Sequence, residues 1–304
     1  MDHFAVHFFR SALSEFPDAL LQCCLDSARR LTAAMLRIIQ DIVMPPASRR
    51  MPAVFIGHGS PMNALEDNRY TAAWQTIASA LPRPRAILVI SAHWTTRGTA
   101  ITSNPAPETI HDFRGFPQAL FDVRYPAPGD PVLAASIRDQ LAPFPIRLDD
   151  SWGLDHGAWS VLVKMYPQAD IPVLQLSLDT TQGADFHYAA GQALAVLREQ
   201  GILLLGTGNV VHNLEKLVWG GAAAPEWATA FNQRVRDALT GPLPQTLTSY
   251  ADWGESAAVS VPSAEHFLPI LTIAGCRQDG ESITIAVDGI ELGAISMLSA
   301  VVGG

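Results

Sequence analysis

The chain has 304 residues, of which 48% are hydrophobic, so it is long and apolar enough to bury a sizeable core. Only 16% of the residues are charged, and the formal net charge is -9. Because no run of Lys and Arg occurs, we expect neither nucleic acid nor an anionic membrane surface as a partner.

The first 50 residues differ from the rest of the chain. A helical pattern over residues 31–43 ends at Pro45 and Pro46, and a new apolar pattern begins abruptly after Met51. We therefore predict that residues 1–50 form a helical or disordered extension outside the fold. Residues 51–304 show no internal repeat and no obvious linker, which predicts a single domain.

From Met51 onward, short apolar runs alternate with runs of helical periodicity. The predicted strands cover residues 53–56, 86–91, 172–178, 202–206, 283–287 and 294–300. The predicted helices cover residues 70–80, 131–141, 158–165, 185–200, 227–239 and 265–274. This alternation is typical of an α/β fold in which helices flank a central, mostly parallel sheet.

The cysteines and the apolar runs indicate the cellular compartment of the protein. Cys23, Cys24 and Cys276 fit neither a disulfide framework nor a zinc ribbon, so we expect a reducing compartment and nitrogen or oxygen ligands for any metal. No apolar run approaches the roughly 20 residues that cross a bilayer. Charged residues interrupt every apolar stretch that could form the core of a signal peptide. We expect a soluble, cytoplasmic protein.

Three of the nine histidines stand where predicted strands end. His58 lies in a glycine-flanked turn after the first strand, His93 follows the second, and His212 comes shortly after the strand over residues 202–206. A single loop histidine is usually structural, but open α/β sheets bind ligands at the carboxyl ends of their strands. Neutral imidazole is a common ligand of zinc, iron and copper. The three positions together predict a shared metal site.

Two further histidines belong with these by context. His156 precedes a predicted helix, and His266 lies at the start of another, for which Ser263 is the expected N-cap. Asp155 is a candidate carboxylate for orienting a ligand imidazole.

Other aromatic residues near these segments are candidates for a binding pocket. His111 either lines a pocket or lies in a surface loop. Trp94, Trp159 and Phe267 either form walls against which a ligand ring stacks or belong to the core. The sequence leaves both alternatives open.

Five short segments occur in an order that resembles a known family. They are residues 57–61 (GHGSP), 91–94 (SAHW), 155–159 (DHGAW), 208–213 (GNVVHN) and 265–269 (EHFLP). The chain from Met51 to Gly303 resembles the 4,5-DOPA extradiol dioxygenase family of class III ring-cleaving enzymes, of the protocatechuate 4,5-dioxygenase type. The resemblance implies a non-haem metal site at which O2 opens a catechol such as DOPA by 4,5-cleavage, giving a muconic semialdehyde.

The resemblance also implies roles for individual histidines. His58 and His93 match metal ligands, and His266 matches the third ligand position. His212 matches a residue that is a fourth ligand in some members and the acid/base histidine in the wider superfamily. His156 matches a pocket histidine near the substrate. We therefore expect His156 and His212 to be catalytic.

The expected site thus has three components. His58, His93, His212 and His266 form the metal set, while His156, Trp94 and His111 contact the substrate. The cofactor is one divalent metal ion per chain, either zinc or non-haem Fe(II). The other partners are a small aromatic diol and O2.

The third ligand position departs from the family pattern. Class III dioxygenases usually bind Fe(II) through two histidines and one carboxylate, whereas Glu265 and His266 stand side by side here. If His266 binds, the ligand set is all imidazole and suits zinc at least as well as iron. If Glu265 binds instead, the usual triad is restored.

Two other functions stay open at this point. A zinc hydrolase on the same scaffold would use a zinc-bound water with His212 or His156 as the base. A non-enzymatic binding protein would hold a ligand without turnover. Activity that needs O2 distinguishes the dioxygenase from both.

Overall fold

An eight-stranded sheet runs through the part of the chain that the structure, a computed structural model, describes: residues 50–141, 144–220 and 223–303. Its strands are β1 (Ala53–Gly57), β2 (Ala86–Thr96), β3 (Thr99–Thr102), β4 (Ile146–Asp149), β5 (Val173–Asp179), β6 (Ile202–Gly208), β7 (Ile283–Val287) and β10 (Ser299–Val302). Strands β8 (Ile290–Glu291) and β9 (Ile295–Ser296) form a separate two-stranded ladder. The predicted helix over residues 31–43 and the extension lie outside the described residues.

The strand order is β4-β3-β5-β2-β6-β1-β10-β7. The four central strands β5, β2, β6 and β1 are parallel, while β10 and β7 add an antiparallel edge and β3 pairs antiparallel with β5. Parallel central strands bring the carboxyl ends of β1, β2 and β6 to one side of the sheet. The predicted α/β fold with a mostly parallel sheet is confirmed.

Helices cover both faces of this sheet. In chain order they are α1 (Arg69–Ala80), α2 (Gln118–Phe121), α3 (Pro131–Gln140), α4 (His156–Met165), α5 (Ala184–Leu194), α6 (Glu226–Thr240), α7 (Glu255–Ser260) and α8 (Leu268–Gly275). Along β2, Leu88 and Ile90 face one buried cluster, while Ile87 and Val89 face the other. This alternation explains the fully apolar strands, since both faces of a mostly parallel sheet are buried.

Several predicted elements have different ends in the structure. The helix predicted over residues 185–200 ends at Leu194 and continues as a tighter 3-10 helix, Ala195–Gln200, which the left-handed Gly201 terminates. The strand predicted over residues 294–300 is split into β9 and β10. The helix predicted over residues 265–274 begins only at Leu268, with Phe267 as its N-cap. Ser263 does not cap it, because its hydroxyl donates to Glu265 instead.

Arg50 is the first residue of the compact unit that contains the sheet. Arg50, which the sequence pattern assigned to the extension, forms ion pairs with Glu199 and Glu281. Within the described residues, no helix combines the length and the apolar character that crossing a membrane requires.

Candidate metal centre

His58 and His93 lie near the carboxyl ends of β1 and β2, the two strands that flank β6 in the sheet. His58 follows β1, and its backbone N–H donates to the carbonyl oxygen of Gly208 at the end of β6, over 3.0 Å. His93 lies within β2, in a stretch where the register against β5 shifts between Ile90 and Thr95. Such an irregularity re-aims a side chain relative to a regular strand. The two Nε2 atoms of His58 and His93 are 3.3 Å apart.

His266 completes a group of three imidazoles. Its ring centroid lies 5.5 Å from that of His58 and 5.0 Å from that of His93. One ring nitrogen from each of the three residues lies within 4.8 Å of the others, so together they could hold a metal ion. Neutral imidazole is a ligand that suits zinc, iron and copper.

Glu265 sets the orientation of the His266 ring. Its Oε1 lies 3.2 Å from His266 Nδ1 and also accepts a hydrogen bond from Ser263. The contact with His266 lowers the pKa of Glu265 to about 2. His266 Nε2 is buried and has no hydrogen-bond partner within the described residues. A carboxylate that holds Nδ1–H leaves the Nε2 lone pair free for a metal, which favours His266 over Glu265 in the third ligand position.

His212 lies on the far side of His266. Their rings stack with centroids 3.5 Å apart and an interplanar angle of 6°. Burial, together with the neighbouring His266, lowers the pKa of His212 to about 3, so its imidazole is neutral near pH 7. Its ligand atoms group with those of Glu265 and His266, whereas those of His58 and His93 form a separate group with His266. The position of His212 therefore suits a neutral hydrogen-bond acceptor beside the group of three.

His156 flanks the opposite side and is held by Asp112. His156 Nδ1 lies 2.9 Å from Asp112 Oδ2, and the backbone N–H of His156 donates to Asp112 Oδ1. The His156 ring lies 3.8 Å from that of His93. Burial by itself would raise the pKa of Asp112, but its contacts with His156 outweigh burial and lower the pKa. Asp112 is absent from the predicted site residues, since nothing local distinguishes it from other loop aspartates.

Asp155 has a different task from the one expected. It is the N-cap of α4, and its carboxylate accepts from the backbone N–H of Ala158, the Ser91 hydroxyl and the Gln175 amide. Burial raises the pKa of Asp155. Because these donors occupy its oxygens, Asp155 fixes the start of α4, and the carboxylate beside His156 is Asp112.

The chemistry of the donor set fits a metal ion. Burial, followed by the neighbouring imidazoles, lowers the pKa values of His58 and His93 well below 6.5. Neutral imidazole is the form that binds metals. The Nδ1 atom of His58 is buried and, within the described residues, has no partner. Three neutral rings with converging nitrogens leave a place for one cation.

Trp94 and His111, two further predicted site residues, pack against other aromatic rings. Trp94 is only 3% exposed and stacks on Trp152 at 5.6 Å, so its ring face is occupied by a neighbour. His111 packs against Phe113 at 5.7 Å, and the same Phe113 contacts His156 at 5.5 Å. The geometry therefore gives no support to Trp94 as a substrate wall. It joins His111 to His156 through Phe113, which contacts both rings.

The fold and the imidazole group together define an α/β protein with a candidate metal centre at the carboxyl ends of its strands. The model of the family described as catalytic LigB subunit of aromatic ring-opening dioxygenase matches residues 52–298. The chain belongs to this family and is an oxidoreductase of the extradiol ring-opening dioxygenase class.

Individual relatives agree with this membership. A 4,5-DOPA dioxygenase extradiol of Escherichia coli K12 is 53% identical over 274 residues, which cover 88% of this chain and all of the relative. One from Beta vulgaris is 38% identical, covering 77% of this chain and 91% of the relative. A crystal structure of an uncharacterized Escherichia coli K12 protein has a TM-score of 0.73 and 49% identity, covering 83% of this chain and 99% of that chain.

Proposed function

We propose that this protein cleaves a catechol such as DOPA at the 4,5 position, using O2 and one divalent metal ion held by His58, His93 and His266. The observation that carries the proposal is the convergence of three neutral imidazole nitrogens within 4.8 Å, between His156 on one side and His212 on the other. Both atoms of O2 enter the product, a muconic semialdehyde.

The metal ion would supply a Lewis-acid site for the catechol oxygens and, as Fe(II), the redox capacity that O2 chemistry requires. The all-imidazole set also suits zinc. Membership of the dioxygenase class favours Fe(II) for turnover, so metal content and activity need to be measured on the same sample.

His156 is the candidate base for the second catechol proton. Asp112 Oδ2 lies 2.9 Å from His156 Nδ1, which leaves Nε2 as the nitrogen that accepts a proton. The carboxylate then stabilises the imidazolium that forms, as a triad aspartate does for its histidine. The same imidazole can return the proton to the opened product, because acid/base catalysis by a positioned histidine runs in both directions.

His212 is the candidate partner on the opposite flank. Since the pKa of His212 is lowered to about 3, this neutral ring can accept a hydrogen bond from bound substrate but holds a proton weakly. His212 is therefore the candidate for orienting the substrate, and the contact of His156 with Asp112 makes His156 the candidate for carrying the proton.

The test begins with the metal content of protein purified without added metal. The metal-free protein is then loaded anaerobically with Fe(II) or with zinc, and DOPA and O2 are added. Iron-dependent O2 uptake, a yellow product and a product mass equal to substrate plus O2 would support the proposal. Tightly bound zinc with no O2 uptake across a panel of catechols would contradict it and would favour the zinc hydrolase.

A further inference from the structure

A cleft of 330 Å³ opens beside the imidazole group on the side of His212. The lining of this His212 cleft includes His212, Leu214, Glu215, Pro262, Ser263 and Glu265. Leu214 and Pro262 give it apolar walls, and two glutamates supply its charge. Such a cleft can accept a short aliphatic chain that ends in a polar group.

The His212 cleft adjoins the candidate metal centre, because two of its lining residues contact His266. The His212 ring stacks on the His266 ring at 3.5 Å, and Glu265 Oε1 lies 3.2 Å from His266 Nδ1. Two lining residues therefore contact a proposed ligand directly. A catechol ring bound at the three imidazoles has this cleft within reach of its substituent.

The charge of the His212 cleft is negative. Among the described residues that line it there are two carboxylates and neither Lys nor Arg. Glu265 is already engaged by His266 and Ser263. Glu215 is exposed, and its backbone N–H donates to Asn213 Oδ1 over 3.1 Å, which anchors the 3-10 turn Leu214–Lys216. Glu215 is thus a charged group on an ordered turn at the rim.

A second, larger groove does not compete for the same substituent. It has a volume of 690 Å³ and is lined by His111, Arg124 and several prolines. The Phe113 ring contacts both His111, at 5.7 Å, and His156, at 5.5 Å. His111 of this groove is thus joined to His156 through a further aromatic side chain, whereas His212 and Glu265 of the His212 cleft contact His266 themselves. The cation of the larger groove, Arg124, donates to the backbone carbonyl oxygen of Val123.

We propose that the His212 cleft receives the side chain of the catechol and that Glu215 selects for an ammonium group on that side chain. Catechols whose side chain carries an ammonium group, alone or with a carboxylate, are then preferred over catechols whose side chain carries a carboxylate alone. The inference rests on the proposed ring cleavage. It adds that Glu215 selects among catechols by the charge of their side chain. An ammonium–carboxylate hydrogen bond at the rim supplies the preference.

The test compares three catechols that share one ring: dopamine, 3,4-dihydroxyphenylpropionate and the uncharged 4-methylcatechol. With Fe(II)-loaded wild type we expect kcat/KM to be higher for dopamine than for the propionate. Glu215→Gln should lower the dopamine-to-propionate ratio by about 5-fold, mainly through KM, the size expected for one solvent-accessible ion pair. Glu215→Arg should reverse the preference. Glu66→Gln removes the same charge from an exposed residue outside the cleft and should leave the ratio as in wild type.

The outcomes separate this inference from the proposed function. If wild type cleaves all three catechols and neither Glu215 variant changes the ratio, the role of Glu215 is wrong and ring cleavage stands. An equal change in Glu66→Gln would also overturn it, because net charge would then explain the preference. If wild type consumes no O2 with 4-methylcatechol or with the charged catechols, the proposed function fails and this inference fails with it.

Discussion

Two carboxylate–histidine pairs give chemically identical side chains different tasks. Glu265 contacts Nδ1 of His266. The other ring nitrogen, Nε2, has no hydrogen-bond partner among the described residues. Asp112 holds Nδ1 of His156 on the opposite side of the group. In each pair the carboxylate determines which ring nitrogen is available. The first pair suits metal binding and the second suits proton transfer.

Removal of His156 should separate catalysis from metal binding. We expect His156→Ala to lower kcat by roughly 100-fold, the contribution of a positioned acid/base group, while iron content stays near that of wild type. His58→Ala serves as the comparison and should lose the metal itself. Iron content by mass spectrometry and O2 uptake are measured on the same preparations. Loss of iron in His156→Ala would show that His156 is a ligand.

Asp112 should act mainly through His156, because Asp112 Oδ2 lies 2.9 Å from His156 Nδ1 but 3.6 Å from His93 Nδ1. Asp112→Asn keeps the shape of the side chain but removes the charge that stabilises the imidazolium, so we expect kcat to fall by roughly 10-fold or more with iron content retained. The matched control is Asp122→Asn, which removes an exposed aspartate whose described partner is the Gln118 side chain. Wild-type kcat in Asp112→Asn would contradict the proposed role.

At the scale of elements, glycines allow the loops that carry histidines to approach the strand ends. A Cβ at Gly208, the last residue of β6, would lie 2.3 Å from the backbone oxygen of His266. A Cβ at Gly157, in the first turn of α4, would lie 2.7 Å from His93 Cδ2. Neither contact can be accommodated without displacing a histidine. A side chain at position 157 or 208 would thus collide with a segment that carries a histidine, which explains why glycine occupies both positions.

Gly208→Ala should weaken metal binding by moving the backbone of His266. We expect a loss of stability of about 1–3 kcal/mol, as for other overpacked sites, together with lower affinity for Fe(II). Gly183→Ala is the control, because a Cβ at Gly183 would meet no atom within 4 Å and the backbone φ there is -92°. Urea unfolding and a metal titration follow both variants. Equal metal affinity in Gly208→Ala and wild type would rule out this steric explanation.

The strands of the eight-stranded sheet that sequence patterns missed are the two short ones, β3 and β4. β3 (TAIT) and β4 (IRLD) have four residues each and mix polar with apolar side chains. Long apolar strands such as β2 and β6 carry a clear pattern because both of their faces are buried. A four-residue strand at or near the sheet edge depends on its partner for its conformation, so local propensity does not reveal it.

At the scale of the whole molecule, folding buries four neutral imidazoles together. In the unfolded chain they titrate near pH 6.5, whereas burial, as the largest cause, lowers the pKa values of His58, His93, His212 and His266 in the folded protein. At a pH between 6.5 and the lowered pKa values of the folded protein, the unfolded state binds more protons than the folded state. Their contribution to stability is therefore complete above pH 6.5 and is lost as the pH falls.

Metal-free protein should lose stability on acidification. Each such imidazole lowers the free energy of unfolding by at most about 1.4 kcal/mol per pH unit below 6.5. Urea unfolding at about pH 7.5 and about pH 5.5 measures the loss. His212→Gln removes one of the four groups and should show a smaller difference between the two pH values. Equal free energies of unfolding at both pH values in wild type would contradict the buried neutral cluster.

The sequence by itself determined the α/β class, the strands that form the centre of the sheet, the histidines at their ends and the family. These features follow from local periodicity and from the rule that parallel strands end on one side. The tertiary structure alone decided that Asp112 holds His156, 44 residues away, and that Trp94 is covered by Trp152. It also decided that His266 lies in the turn before α8 with its Nε2 free. Contacts between segments distant in sequence leave no local pattern, because they depend on how loops pack once the sheet has formed.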